Sequence, residues 1–136
     1  MHYKMRDQIR FKIGKEEKNI QEKWIEIPEG TEHIQMMIEM PEEFRYMVFL
    51  FLEDPKKEIR FQKLLGYGQQ NPGIGKSTKD TTIGGVPGEI YPGTWKVGIG
   101  IFTEYVAQKL GEQTGEIVLT VSDRKDEVSD PICGEC

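Results

Sequence analysis

Reactive side chains are scarce in this chain of 136 residues. Its two cysteines close the sequence as Cys133-Gly134-Glu135-Cys136, and His2 and His33 are its two histidines. A Cys-x-x-Cys pair is half of a structural zinc site or the centre of a redox motif. Structural zinc needs four ligands, and a redox pair belongs at a helix start after a strand. The motif is therefore read as a mobile terminal tail. The other reading is a half-site completed by ligands beyond Cys136.

The segment Gln70-Asn71-Pro72-Gly73-Ile74-Gly75-Lys76-Ser77 has the outline of a phosphate-binding loop. Such a loop needs glycine at its first position, so that backbone amides can curl around phosphate. It also needs a helix after Lys-Ser to aim its dipole at the anion. Gln70 stands where that glycine belongs, and Thr78 to Gly85 does not start a helix, so nucleotide binding is rejected. There is no Gly-x-Ser-x-Gly elbow, and Cys133 has no histidine base near it in sequence. Glu16-Glu17 and Glu42-Glu43 fall in turns, where charge solvates. A carboxylate pair that meets only in the fold, as in glycosidases, is the catalytic arrangement a sequence can hide. His33 heads a strand on the face opposite Ile34 and is expected to be solvated.

The most distinctive stretch is Gly84-Gly85-Val86-Pro87-Gly88-Glu89-Ile90-Tyr91-Pro92-Gly93-Thr94-Trp95. Pro92-Gly93 fits the centre of a type II turn, with Gly93 supplying a positive φ. Trp95 then opens a strand and is expected to plug one end of the core. The functional reading makes Tyr67, Tyr91 or Trp95 an apolar platform for a sugar ring. Trp24 carries the same two readings and is assigned to the core.

The elements that must position these residues are strands. Ile9, Phe11 and Ile13 alternate with Arg10 and Lys12, which gives one apolar face. Trp24 to Ile27 and His33 to Met40 continue the pattern, with Ile34, Met36 and Ile38 on one side. Tyr46 to Leu52 is the most apolar run; its β-branched and aromatic content predicts a strand covered on both faces, with a buried helix as the alternative that periodicity alone leaves open. Glu58 to Leu65 resumes the alternation. Gly66 to Gly93 reads as loop, with brief strand potential near Thr81-Thr82-Ile83. In Thr94 to Phe102, Val97, Ile99 and Ile101 face one way, with Gly98 and Gly100 opposite. Glu116 to Ser122 is the last strand, and Glu104 to Leu110 is the one helical pattern.

About seven or eight short strands with regular turn signals predict an all-β, antiparallel, jelly-roll-like sandwich. Residues 1–122 are expected to form a single domain, and residues 123–136 a charged linker or tail. Charged residues are 30% of the chain and the formal net charge is −5. That balance disfavours nucleic acid, which asks for a concentrated basic surface. No run approaches the ~20 apolar residues of a membrane span. The stretch from Met1 to Asp7 lacks a secretory h-region, so a cytoplasmic setting is expected. No cofactor is expected in this chain, and no dense Asp/Asn loop argues for calcium.

Two stretches together resemble a known family. One runs from Ile27-Pro28-Glu29-Gly30-Thr31 through the Ile34/Met36/Ile38 strand to Val48-Phe49-Leu50-Phe51-Leu52-Glu53-Asp54-Pro55. The other runs from Gly84-Gly85-Val86-Pro87-Gly88 through Tyr91-Pro92-Gly93-Thr94-Trp95-Lys96-Val97 and closes with Gly115 to Val121. Their order resembles the N-terminal β-sandwich that precedes the catalytic domain in CehA/McbA-type metallohydrolases of the polymerase-and-histidinol-phosphatase superfamily. It is similar, more distantly, to pre-peptidase and carbohydrate-binding-like sandwiches. The resemblance covers roughly residues 20–122. It implies an accessory domain without catalytic residues of its own, partnered by a catalytic domain of the same polypeptide. The divalent metal and its His-x-His motif would belong to that neighbour, which would hydrolyse an ester, phosphoester or carbamate. The alternative reading of the chain is a carbohydrate-binding module, and a third is a small enzyme with an unrecognised site.

Overall fold

The structure is a computed structural model that describes residues 5–14, 17–66, 70–101, 115–125 and 130–132. Among these residues eight strands follow one another: β1 Arg6–Ile13, β2 Ile20–Ile27, β3 His33–Glu39, β4 Val48–Glu53, β5 Ile59–Leu65, β6 Gly73–Gly75, β7 Gly93–Ile101 and β8 Gly115–Ser122. They form two four-stranded sheets, ordered β1-β8-β3-β6 and β2-β7-β4-β5. All pairings are antiparallel.

The pairing follows a simple rule. β1 pairs with β8, β2 with β7, β3 with β6, and β4 with β5. The chain is thus a long two-stranded ribbon with the β4–β5 hairpin at its tip. That ribbon is rolled so that successive pairs, the tip included, fall in opposite sheets. Cross-pairs β3–β8 and β4–β7 knit the turns of the roll together. This is the jelly-roll arrangement, and the expected all-β sandwich is what the chain forms.

Strand alternation decides what fills the space between the sheets, because successive side chains point to opposite faces. Phe11, Met36, Ile38, Leu119 and Val121 enter from the first sheet; Ile25, Leu50, Leu52, Trp95, Val97 and Ile99 enter from the second. All are buried. At about 25 cal/mol per Å² of apolar surface removed from water, this layer is the main stabilising term.

The two open sides of the sandwich are closed differently. On the β1/β2 side, Gln21 Nε2 donates to Lys12 O at 2.6 Å and Lys23 Nζ donates to Arg10 O at 2.5 Å. Side chains of one edge therefore occupy the carbonyls of the other, which blunts an edge open to foreign strands. On the β5/β6 side the loop after Asp80 forms a backbone seam. Thr82 N donates to Gly73 O, Gln62 N to Gly84 O, Val86 N to Arg60 O and Gly88 N to Gly75 O. The distinctive Gly84–Gly88 stretch is part of this closure.

Several expectations change. The Tyr46–Leu52 run is covered on one face only: Val48, Leu50 and Leu52 are buried, while Phe49 is 40% exposed. A two-layer sandwich gives β4 no third layer to pack against among the described residues. Trp24 is 60% exposed rather than core, because Ile25 and Ile27 take the inward positions of β2. His33 is half-buried, and its Nε2 meets Gln35 Oε1 at 2.8 Å over Gly73. Within residues 123–136, the segment expected to be a charged linker or tail, Asp130–Ile132 bonds to the body. Asp130 N donates to Asn71 O, Asn71 N donates to Asp130 Oδ1, and Ile83 N donates to Pro131 O. The helical pattern at Glu104–Leu110, His2 and the Cys133/Cys136 pair lie outside the described residues.

Candidate functional site: the outer face of the second sheet

The outer face of β2-β7-β4-β5 is the surface on which residue types and register combine. Its first row is set by pairing: Ile20 opposes Gly100, Gly100 opposes Phe49, and Phe49 opposes Leu64. A glycine between three large apolar neighbours makes a trench, and among the described residues nothing lies within 4 Å of where a Gly100 Cβ would stand. Ile20, Phe49 and Leu64 are 61%, 40% and 49% exposed. Tyr46, Met47 and Ile101 complete an apolar groove of about 560 Å³, with Asn19 as a polar lining residue. That volume lies within the roughly 300–1,000 Å³ of small-ligand and side-chain pockets.

Tyr46 is at the mouth of this groove in a left-handed backbone conformation, φ +61. A bulky residue there costs on the order of 1–2 kcal/mol. The geometry is held because Tyr46 N donates to Leu65 O at 2.7 Å and Met47 N to Phe44 O at 3.0 Å. The Tyr46 ring also lies against Gly66, where a Cβ would be 3.0 Å from it. Backbone strain maintained by its surroundings marks a position worth a functional hypothesis.

The second row is flat. Glu22, Gly98 and Phe51 are in register, and the Phe51 ring lies directly on Gly98. The third row is polar apart from one ring: Trp24 opposes Lys96, which opposes Glu53. Lys96 Nζ lies 3.1 Å from Glu22 Oε2 and 3.8 Å from Glu53 Oε2. The Glu22 hydrogen bond raises the Lys96 pKa above its ordinary value.

The residues singled out as a sugar platform fare differently. Trp95 is wholly buried, and its Nε1 donates to Tyr91 O at 2.7 Å, so it presents no face to a ligand. It is the core plug. Tyr91 is half-buried, with Lys56 Nζ 4.1 Å from its ring centroid, so that ring is already occupied by a cation. Tyr67 lies outside the described residues. Gly93 has φ +124, the positive value that the Pro92-Gly93 turn requires.

A second polar group of residues surrounds His33. Burial lowers its pKa and Lys125 adds to this, against the Gln35 hydrogen bond and the charges of Asp80 and Asp123. Lys125 Nζ also donates to Asp80 Oδ1 at 3.3 Å. Among the described residues, no three His, Cys, Asp or Glu side chains converge as a metal would require. Among the same residues no helix is long and apolar enough to cross a membrane.

The chain matches no family model, and no curated protein is significantly similar to it.

Proposed function

We propose that this chain is a non-catalytic accessory domain that docks through the groove above Gly100 onto a catalytic domain of the same polypeptide. The single observation behind this reading is an apolar groove on a sheet face that no described element covers, with Ile20, Tyr46 and Leu64 about half exposed at its rim. Contiguous apolar surface of this kind marks interaction sites more often than scattered single residues do. The sequence resemblance supplies the identity of the partner: a metal-dependent hydrolase domain of the polymerase-and-histidinol-phosphatase type. Its divalent metal and catalytic residues would sit in that partner.

The test starts from the natural reading frame beyond Cys136. The expected result is a continuation into a segment with a His-x-His motif. In that full-length protein, Phe49→Lys is expected to release the sandwich from its neighbour, read as new protease sensitivity between the two. A stop codon directly after Cys136, or a Phe49→Lys protein as protease-resistant as the wild type, overturns the proposal.

A further inference from the structure

The far end of the same sheet face carries a second site of different chemistry. Trp24 lies four residues along β2 from Ile20, roughly 13 Å away at the rise of an extended strand. Its indole forms one wall of an open cleft of about 350 Å³, completed by Glu53, Asp54, Pro55, Lys57, Thr94 and Lys96. That is toward the lower end of the range for small-ligand sites, about 300–1,000 Å³.

Register fixes what borders the ring. Lys96 lies directly opposite Trp24, while Glu22 and Glu26 flank it on the same face of β2. On one side the Lys96 ammonium is held between Glu22 and Glu53. On the other, Thr94 Oγ1 donates to Glu26 Oε1. The indole is thus an apolar plate bordered on two sides by positioned donors and acceptors.

Charge narrows the ligand class. Glu22, Glu26 and Glu53 face Lys57 and Lys96, so the rim is close to balanced. A phosphate or polyanion would meet the carboxylates, and a quaternary cation asks for aromatic faces, of which this cleft offers one. A pyranose has what the cleft complements: an apolar C–H face for the indole, and hydroxyls that both donate and accept at its edge. We infer that the Trp24 cleft is a subsite for a neutral carbohydrate ring. Asp54 contributes shape only, because its carboxylate is already engaged inside the domain.

This inference is independent of the docking reading, because the groove and the cleft occupy opposite ends of the face. The chain holds two tryptophans, and with Trp95 buried, Trp24 is the one a ligand can reach. The experiment is calorimetric titration of the chain with cello-, xylo-, manno- and maltohexaose, with tryptophan emission recorded in parallel. One of these sugars is expected to give saturable heat and a matching emission change. Trp24→Ala is expected to weaken binding about tenfold or more. Lys96→Met should weaken it severalfold, and Gly100→Val should leave it unchanged. Because Trp24 is exposed, the Ala variant should fold like the wild type, which its melting curve verifies. No heat with any of the four sugars at about 10 mM, or binding that persists in folded Trp24→Ala, overturns the inference.

Discussion

Arg60 Nη1 lies 3.5 Å from Asp54 Oδ2, with both side chains shut away from solvent. The same guanidinium donates from Nη1 to Glu89 O at 2.7 Å and from Nε to Val86 O at 3.1 Å, and stacks 5.5 Å from the Trp95 ring. Asp54 Oδ1 meanwhile accepts from Lys56 N and Glu58 N, which closes the β4–β5 turn. One guanidinium therefore joins the turn at the tip of the rolled ribbon to the loop that seals the β5/β6 side. The carbonyl bonds are shorter than the ion pair, so the loop holds Arg60 more firmly than Asp54 does.

That ordering yields a prediction about stability. Arg60→Ala strands a buried carboxylate and frees two loop carbonyls, and is expected to cost about 3–5 kcal/mol. Arg60→Lys should recover little, because one ammonium cannot reproduce the fork that reaches both carbonyls and the carboxylate. Asp54→Asn keeps the turn acceptor and should cost clearly less than Arg60→Ala. Urea unfolding of the three variants checks the order, and equal losses for Asp54→Asn and Arg60→Ala would contradict it.

The Phe51–Gly98 contact is a lock between strands. A Cβ on Gly98 would fall inside the Phe51 ring. Gly98→Ala should therefore cost about 1–3 kcal/mol through overpacking. Phe51→Leu opens that space, and the double variant is expected to be more stable than the sum of the single losses predicts, by about 1 kcal/mol. A double-mutant cycle that closes to zero would mean the ring leaves Gly98 freely.

These positions also show how far the sequence could be read. The period-2 runs of β1, β3 and β8 place Phe11, Ile38 and Leu119 inward as the alternation demands. The same rule held the answer for Trp24. With Ile25 and Ile27 inward, Trp24 and Glu26 had to face out, yet residue type suggested core. At Phe49 and Phe51, hydrophobicity pointed to cover on both faces. The contrary signal was on another strand, in Gly98 and Gly100, and it becomes visible only once register pairs them. Arg60 and Phe61 are both buried because the β4–β5 register shifts between Leu52 and Glu53, which breaks alternation. Neither that irregularity nor the left-handed backbone at Tyr46 has a local signature, because both are imposed by tertiary pairing.

His33 makes stability depend on pH with a definite sign. Burial holds its folded pKa below the ordinary 6.5, so on acidification the unfolded chain takes up the proton first. The contribution is complete above pH 6.5 and is lost as pH falls below it, through the folded pKa. Asp80, also lowered, by its bonds to Ser77 and Lys125, acts in the same direction but only near the carboxylate range. His33→Gln keeps a partner for Gln35 and removes the titration. Between about pH 7.5 and about pH 5 it is expected to lose less stability than the wild type. Parallel slopes in guanidinium titrations at the two pH values would remove His33 as the cause.

Gly100 separates stability from recognition. Its φ is not positive, and among the described residues a Cβ there would meet nothing within 4 Å, so neither its backbone nor its described neighbours ask for glycine. Gly100→Ala in a strand should therefore raise stability by roughly 0.5–1 kcal/mol. It also raises the floor of the groove between Ile20, Phe49 and Leu64, and Gly100→Val would raise it further. Docking should weaken along that series while the melting temperature holds or rises, the pattern of a residue kept for function at the expense of stability. A loss of stability in Gly100→Ala would show instead that the trench is filled in solution. The groove would then not be available to a partner.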